Sequence, residues 1–273
     1  MKLFVTGASS FVGSHFCTLA AAQGHTVVGL YRNTTLRLRG VTGVQAEVQH
    51  ARPSNDTDVI VHLATKVMAD DALVQNRSML DAVVGWGKPV VYASSTVVHW
   101  ERKNAYARSR VEDEARVEAS GLPWLIVRPC APYGPRHAEH QPHHKESFHT
   151  LARMCRWLPR VPVLGDGRYR RQPVHVDDFN GAILSLVVGT KWGAAYDAGG
   201  PEPMTLREII TRLGGRGVLP LPLPLLKLAG PLAGLHPDVL TTFDTDDVVD
   251  PAPLARASGI TPRAFDPAAL RNA

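Results

Sequence analysis

Lys2-Leu3-Phe4-Val5-Thr6-Gly7-Ala8-Ser9-Ser10-Phe11-Val12-Gly13 decides how this chain folds. Residues 3–6 are a short apolar run with the composition of a buried strand. Residues 12–23 carry a helical pattern that stops at Gly24, a residue suited to close a helix. Gly7 and Gly13 flank the turn between them. Glycine serves there because the backbone must turn tightly and because a pyrophosphate must approach peptide N–H groups at a helix N-terminus. A loose glycine pattern alone says little. One that follows a strand and opens a helix is the context a dinucleotide-binding turn requires.

Working outward, apolar runs at 26–30, 59–63, 90–93 and 124–127 read as further strands. Helical stretches at 72–86 and 106–119 alternate with them, and another follows at 177–188. Such alternation implies an α/β fold: a Rossmann doubly wound parallel sheet with a small C-terminal substrate lobe. Residues 1–130 plus 173–195 are expected to form the dinucleotide-binding domain, and 131–172 plus 196–273 the lobe. The segment 131–172 is rich in Pro, Gly, Arg and His. The apolar stretch 218–235 contains Pro220, Pro222, Pro224, Pro231 and Lys227, which reads as a Pro-rich turn before a short packed helix and not as a membrane span.

A chain of 273 residues accommodates such a domain with a lobe. The net charge of +5 favours anionic ligands, but the basic residues are scattered, so no nucleic-acid surface is expected. Cys17, Cys130 and Cys155 show neither disulfide nor zinc spacing. No leader precedes the first strand, so a cytoplasmic protein with reduced thiols is expected.

The second strand ends Val27-Val28-Gly29-Leu30-Tyr31-Arg32-Asn33. An NAD site would place a carboxylate there for the ribose hydroxyls. Arg32 instead offers a guanidinium to a 2′-phosphate, which favours NADP(H) over NAD(H).

Further blocks carry a resemblance. Asp58-Val59-Ile60-Val61-His62-Leu63-Ala64, Val91-Tyr92-Ala93-Ser94-Ser95-Thr96, Tyr106-Ala107-Arg108-Ser109-Arg110, Val127-Arg128-Pro129 with Tyr133-Gly134-Pro135, Gly165-Asp166-Gly167, Val174-His175-Val176-Asp177-Asp178 and Tyr196-Asp197-Ala198-Gly199-Gly200 stand in the order of a known pattern. The chain resembles the extended short-chain dehydrogenase/reductases, the NAD-dependent epimerase/dehydratase family, over nearly its whole length. That resemblance implies a catalytic set of Ser95, Tyr106 and Arg110, with Ser94 the lesser candidate serine. It implies cofactor contacts at Gly7, Ser9, Ser10, Phe11, Val12, Arg32, Asn33, Leu63, Ala64, Thr65, Pro129, Tyr106 and Arg110. The tyrosine hydroxyl would exchange a proton with the carbinol oxygen, the serine would hydrogen-bond that oxygen, and a nearby cation would favour the tyrosinate and hold the nicotinamide ribose. A homodimer packed through the tyrosine-bearing helix is also implied.

The chain departs from the pattern in four places. Ser10 replaces the middle glycine of the turn. Arg110 replaces a lysine, and a guanidinium is bulkier and does not release its proton; Lys103 is a substitute cation three residues before Tyr106. Ser95 and Tyr106 are eleven positions apart, where the family has about twice that, a stretch that helps contact nucleotide sugars. Thr96-Val97-Val98 follows Ser95 without the acid that sugar dehydratases place there, which sets dehydration aside.

His137, His140, His143, His144 and His149 read as a mobile loop over the substrate site, and no metal site is expected. Trp100 reads as a wall for a ring-shaped substrate, Trp157 and Trp192 as packing residues. Arg136, Arg170 and Arg171 flank the expected cleft, where a diphosphate clamp and a plain basic surface are equally consistent with sequence. The expected activity is NADPH-dependent reduction of a ketone on a deoxysugar or a bulky secondary metabolite, as in antibiotic biosynthesis. The alternatives are a nucleotide-sugar epimerase with bound NAD(H) and a non-catalytic NADP-binding sensor.

Overall fold

The computed structural model describes residues 1–66, 71–142, 147–222 and 245–271. Seven strands form one all-parallel sheet: β1 (Lys2–Thr6), β2 (Thr26–Tyr31), β3 (Val41–Gln45), β4 (Val59–His62), β5 (Val90–Ala93), β6 (Trp124–Pro129) and β9 (Ala194–Ala198). Their spatial order is β3-β2-β1-β4-β5-β6-β9. The chain starts mid-sheet, winds out to β3, and returns through β4 to the other edge. The order reverses between β1 and β4, and ligands of such sheets bind beyond the strand carboxyl ends at that reversal.

The strands are apolar throughout because both faces are covered. Leu3, Val5, Val59, Val61, Val91, Leu125 and Val127 pack with α1 (Phe11–Ala22), α5 (Val176–Val188) and Leu254 of α7 (Ala252–Ser258). Phe4, Ile60, Val90, Tyr92 and Ile126 face the other way, toward α2 (Ala72–Gly85) and Val117 of α3 (Ala105–Glu118). Gly24, at φ 81°, ends α1 as expected.

The smaller lobe holds α4 (Ser147–Trp157), α6 (Leu206–Arg212), a parallel pair β7 (Val161–Leu164) with β11 (Val218–Leu221), and an antiparallel pair β8 (Arg170–Arg171) with β10 (Met204–Thr205). Phe148, Ala152, Ile209 and Phe265 form its core with Tyr133.

Several local expectations change. The turn expected at 218 is strand β11, tolerable for Pro220 because this two-stranded ribbon leaves an edge; the packed helix expected after it lies outside the described residues. Helix α4 was not expected, although Phe148, Leu151, Ala152 and Cys155 give it a helical apolar face. Strand β3 is mostly exposed, so no buried run marked it. The sheet continues through β9 past residue 195, and α7 packs back against α5 and β9, so C-terminal chain serves the larger domain. Trp157 is 73% exposed at the end of α4 and joins no hydrophobic core among the described residues, whereas Trp192 packs against the core. The three cysteines are buried and unpaired, and burial raises each thiol. Among the described residues no helix is long and apolar enough to cross a membrane.

Candidate active site

The crevice beyond β1 and β4 is built by close backbone approach. Gly7 has φ +69°, and a Cβ there would lie 2.6 Å from the Ala64 nitrogen. A Cβ on Gly13 would lie 2.1 Å from the Gly7 carbonyl oxygen. Ser10 caps α1: its Oγ accepts from the Gly13 N–H at 3.0 Å. The N–H groups of Phe11 and Val12 have no acceptor among the described residues. Two free donors at the start of a twelve-residue helix fit the pyrophosphate of a dinucleotide. Thr6 accepts from the Ala64 N–H at 3.3 Å and shares a 2.7 Å hydrogen bond with His62 Nδ1, joining β1 to β4. Leu63 is buried and Thr65 exposed at this rim. Asn76, which the sequence did not single out, holds both backbone groups of Lys66 at 2.8 and 2.9 Å and fixes the chain after β4. Arg32 and Asn33 are exposed just beyond β2.

At the same carboxyl edge β5 leads into Ser94 and Ser95. Ser95 caps a short 3-10 helix, Thr96–His99, and α3 begins six residues later with Asn104 as its cap. Tyr106 packs against Val97, Trp100 and Ala107, which draws the serine and tyrosine segments together. Trp100 is 5% exposed, so it supports Tyr106 from within and is no substrate wall. The Ser94 hydroxyl is buried without a partner among the described residues. Lys103 donates to the Trp100 carbonyl at 2.7 Å, which commits the substitute cation to a loop. Pro129, at the end of β6, accepts from the Thr96 hydroxyl at 3.4 Å.

Arg110 is 2% exposed. Its Nη2 pairs with Asp113 Oδ2 at 2.8 Å, and its guanidinium carbon lies 5.2 Å from the Tyr106 ring centre and 5.4 Å from that of Tyr92. The tyrosine and its cation therefore meet on one helix face, as their spacing requires. Burial, then the charge of Arg110, hold His62 down to about 3, so this imidazole beneath the crevice is neutral.

Other groups were invisible in sequence because distant segments supply them. Asp247 accepts from the Thr96 hydroxyl at 2.9 Å, so a carboxylate does reach the segment after Ser95, from 151 residues away. His99 bonds both oxygens of Asp197 at 2.9 and 3.0 Å; Arg128 then links Asp197 to Glu114. The Asp197 hydrogen bond raises His99 despite partial burial. Burial opposes ionisation of Asp197, but the His99 bond and Arg128 outweigh it and hold the carboxyl low.

The histidine loop departs from expectation. His140 bonds the Ser9 carbonyl at 3.0 Å, His137 bonds Thr18 at 2.9 Å, and the rings of Phe11 and His149 meet edge-on. The loop is thus laid on α1 and the glycine turn, because α1 offers it Thr18, His15 and Phe11. His143 and His144 lie outside the described residues. Among those described, no cluster could hold a metal ion. Arg170 pairs with Asp246 at 2.8 Å and Arg171 donates to the carbonyls of Arg170 and Thr245, so both cations have partners within the lobe; Arg136 is exposed.

Residues 3–82 and 57–191 match the model of the NAD dependent epimerase/dehydratase family. A dTDP-glucose 4,6-dehydratase of Streptomyces niveus is 25% identical over 262 residues, 78% of this chain and 76% of that protein. A dTDP-4-dehydro-6-deoxy-D-allose reductase of Streptomyces bikiniensis is 25% identical over 259 residues, 76% and 78%. The UDP-glucuronic acid 4-epimerase of Bacillus cereus, solved with UDP-4-deoxy-4-fluoro-glucuronic acid and NAD, superposes with a TM-score of 0.75 over 99% of this chain and 96% of that one, at 18% identity. That likeness concerns the fold alone.

Proposed function

The chain belongs to the NAD dependent epimerase/dehydratase family and is an NAD(P)-dependent enzyme of the short-chain dehydrogenase/reductase type; from that premise we propose that it is an NADPH-dependent ketoreductase acting on a deoxysugar or a bulky secondary metabolite. The observation that carries the reading is Tyr106 at the head of α3, packed onto the segment that follows Ser95, with a cation against its ring. When bound, NADPH supplies the hydride. The N–H groups of Phe11 and Val12 would hold its pyrophosphate, and Arg32 its 2′-phosphate. Tyr106 gives its proton to the ketone oxygen, which Ser95 holds by a second hydrogen bond. Hydride at carbon and proton at oxygen together yield the alcohol.

The Streptomyces bikiniensis relative, a reductase of a 4-dehydro-6-deoxy sugar by its name, supports a deoxysugar ketone as substrate. Arg170 and Arg171, already partnered inside the lobe, favour a substrate whose recognition does not depend on clamping a diphosphate there. The test is NADPH oxidation, followed at its near-ultraviolet absorbance, across a panel of free and nucleotide-linked deoxysugar ketones. Stoichiometric oxidation with alcohol formation is expected. Turnover of a nucleotide sugar without net oxidation makes the protein an epimerase, and tight NADPH binding without any turnover makes it a sensor. Tyr106→Phe should lower kcat by about a hundredfold or more, the usual worth of a positioned acid; an unchanged kcat removes the tyrosine from the mechanism.

A further inference from the structure

The pattern that Tyr106 and Arg110 follow calls for lysine at 110, and a guanidinium is the poorer fit to a dry site. It is longer, stays charged, and presents five donors that all need partners. A buried cation without a counter-ion is strongly unfavourable. Arg110 nonetheless sits almost wholly enclosed, and what encloses it is specific. Asp113, one helical turn on, is itself 2% exposed. Its Oδ2 receives Arg110 Nη2 at 2.8 Å and the Tyr92 hydroxyl at 2.9 Å. Tyr92 lies on β5, its ring stacked on His62 at 5.9 Å, and His62 is bonded to Thr6 at the end of β1. The anchor of the arginine is therefore tied into the sheet floor under the dinucleotide crevice. Arg110 Nε has no hydrogen-bond partner among the described residues; two tyrosine faces lie against the guanidinium.

We propose that Asp113 is a positioning residue that lets an arginine stand in the lysine place, by clamping the Arg110 guanidinium beneath the Tyr106 ring so that it acts on the tyrosine through its charge and not by holding the cofactor ribose. The inference rests on the reading of Tyr106 as proton donor. A lysine could reach a ribose hydroxyl as a mobile point charge; this arginine is locked by a carboxylate and a phenol on its own side of the tyrosine. Asp113 touches neither cofactor nor substrate and works through Arg110.

The experiment has a structural arm and a kinetic arm. In the cofactor-free protein labelled at arginine Nε, the Arg110 Nε–H resonance should persist at a pH where exposed arginines exchange with water. Asp113→Asn keeps the shape and an acceptor for Tyr92 but removes the charge, and should abolish that protection. Tyr92→Phe, a milder change that spares the ring, should weaken it. With isatin as probe ketone, Asp113→Asn should lower kcat about tenfold, the worth of one pKa unit at the tyrosine once the released guanidinium no longer acts on it, while the NADPH Kd stays within about twofold. Arg110→Met should behave likewise, and the double variant should lose no more than Arg110→Met alone, because the two residues act as one unit. The proposal is overturned if Arg110 stays protected in Asp113→Asn, or if Arg110→Met weakens NADPH binding tenfold or more while leaving kcat alone, which would put the guanidinium on the ribose. A wild-type protein that turns over no ketone breaks the reductase reading instead, and the resonance then decides the clamp by itself.

Discussion

The two halves of the site are made of different material. The half we assign to the dinucleotide, from β1 through α1 to the ends of β2 and β4, is mainly a backbone construction: two glycines, a helix N-terminus and the parallel neighbours β1 and β4. The half we assign to catalysis, from β5 to α3, is a side-chain construction in which Arg110, Asp113, Tyr92 and Tyr106 pack against and pair with one another. Backbone geometry tolerates almost no substitution at its glycines, so it writes itself into local sequence. Side-chain networks can be rebuilt from different residues, so they do not.

The largest expected effect lies in the first half. A Cβ on Gly13 would sit 2.1 Å from the Gly7 carbonyl oxygen, and that atom is backbone in a turn packed on β4. Gly13→Val should cost about 3 kcal/mol or more by overpacking and remove measurable NADPH binding. Thermal melting and a fluorescence titration check both. A variant that still binds NADPH normally would mean that the turn is not the cofactor's cradle.

Next in size is the joint between the halves. His62 is bonded to Thr6 on one side and stacked on Tyr92 on the other. Its folded-state value of about 3 lies below that of an unfolded histidine. Above about pH 6.5 the imidazole is neutral in both states and adds no pH dependence. As pH falls below that, the unfolded chain takes a proton the folded one refuses, so stability is lost until the folded value is reached. The sum is on the order of a few kcal/mol. Urea melts between neutrality and pH 4 should therefore slope less steeply for His62→Gln than for the wild type. Other histidines contribute to both slopes equally, and the difference isolates this one.

These residues show what could be read in advance and what could not. The strand–glycine–helix opening, the alternation that followed, and the spacing of Tyr106 and Arg110 were all local and legible. Asp247 against Thr96 was not, since nothing near Thr96 announces a partner 151 positions away. Asp113 was local but looked like one more charge on a helix rich in them; only its burial beside Tyr92 distinguishes it. The histidine run was visible, but its docking partners were not, because Ser9 lies in the glycine turn and Thr18 in α1, more than a hundred positions away. Trp157 failed in the opposite sense: an apolar residue in a helix, left in solvent.

Arg32 marks where the first half stops being backbone. It is exposed beyond β2, and its role depends on one charged contact. Arg32→Ala should weaken NADPH about tenfold, the worth of one hydrogen bond to a charged group, and leave NADH unchanged. Equal losses for both nucleotides would deny Arg32 the 2′-phosphate.

The smallest effect is the most discriminating for the comparison, because it touches a position where a side chain takes up a backbone donor of the helix N-terminus. Ser10 stands where the family pattern has glycine, and its hydroxyl takes the Gly13 N–H that would otherwise point at a bound anion. Ser10→Gly removes the cap but leaves a residue helices accept there, so folding should weaken by only about a few tenths of a kcal/mol. The freed N–H becomes a third donor beside those of Phe11 and Val12, in the field of the helix N-terminus. That contribution tightens NADPH binding by about threefold. If affinity instead falls, the serine hydroxyl itself belongs to the cofactor site, and the dinucleotide half is less purely backbone than its glycines imply.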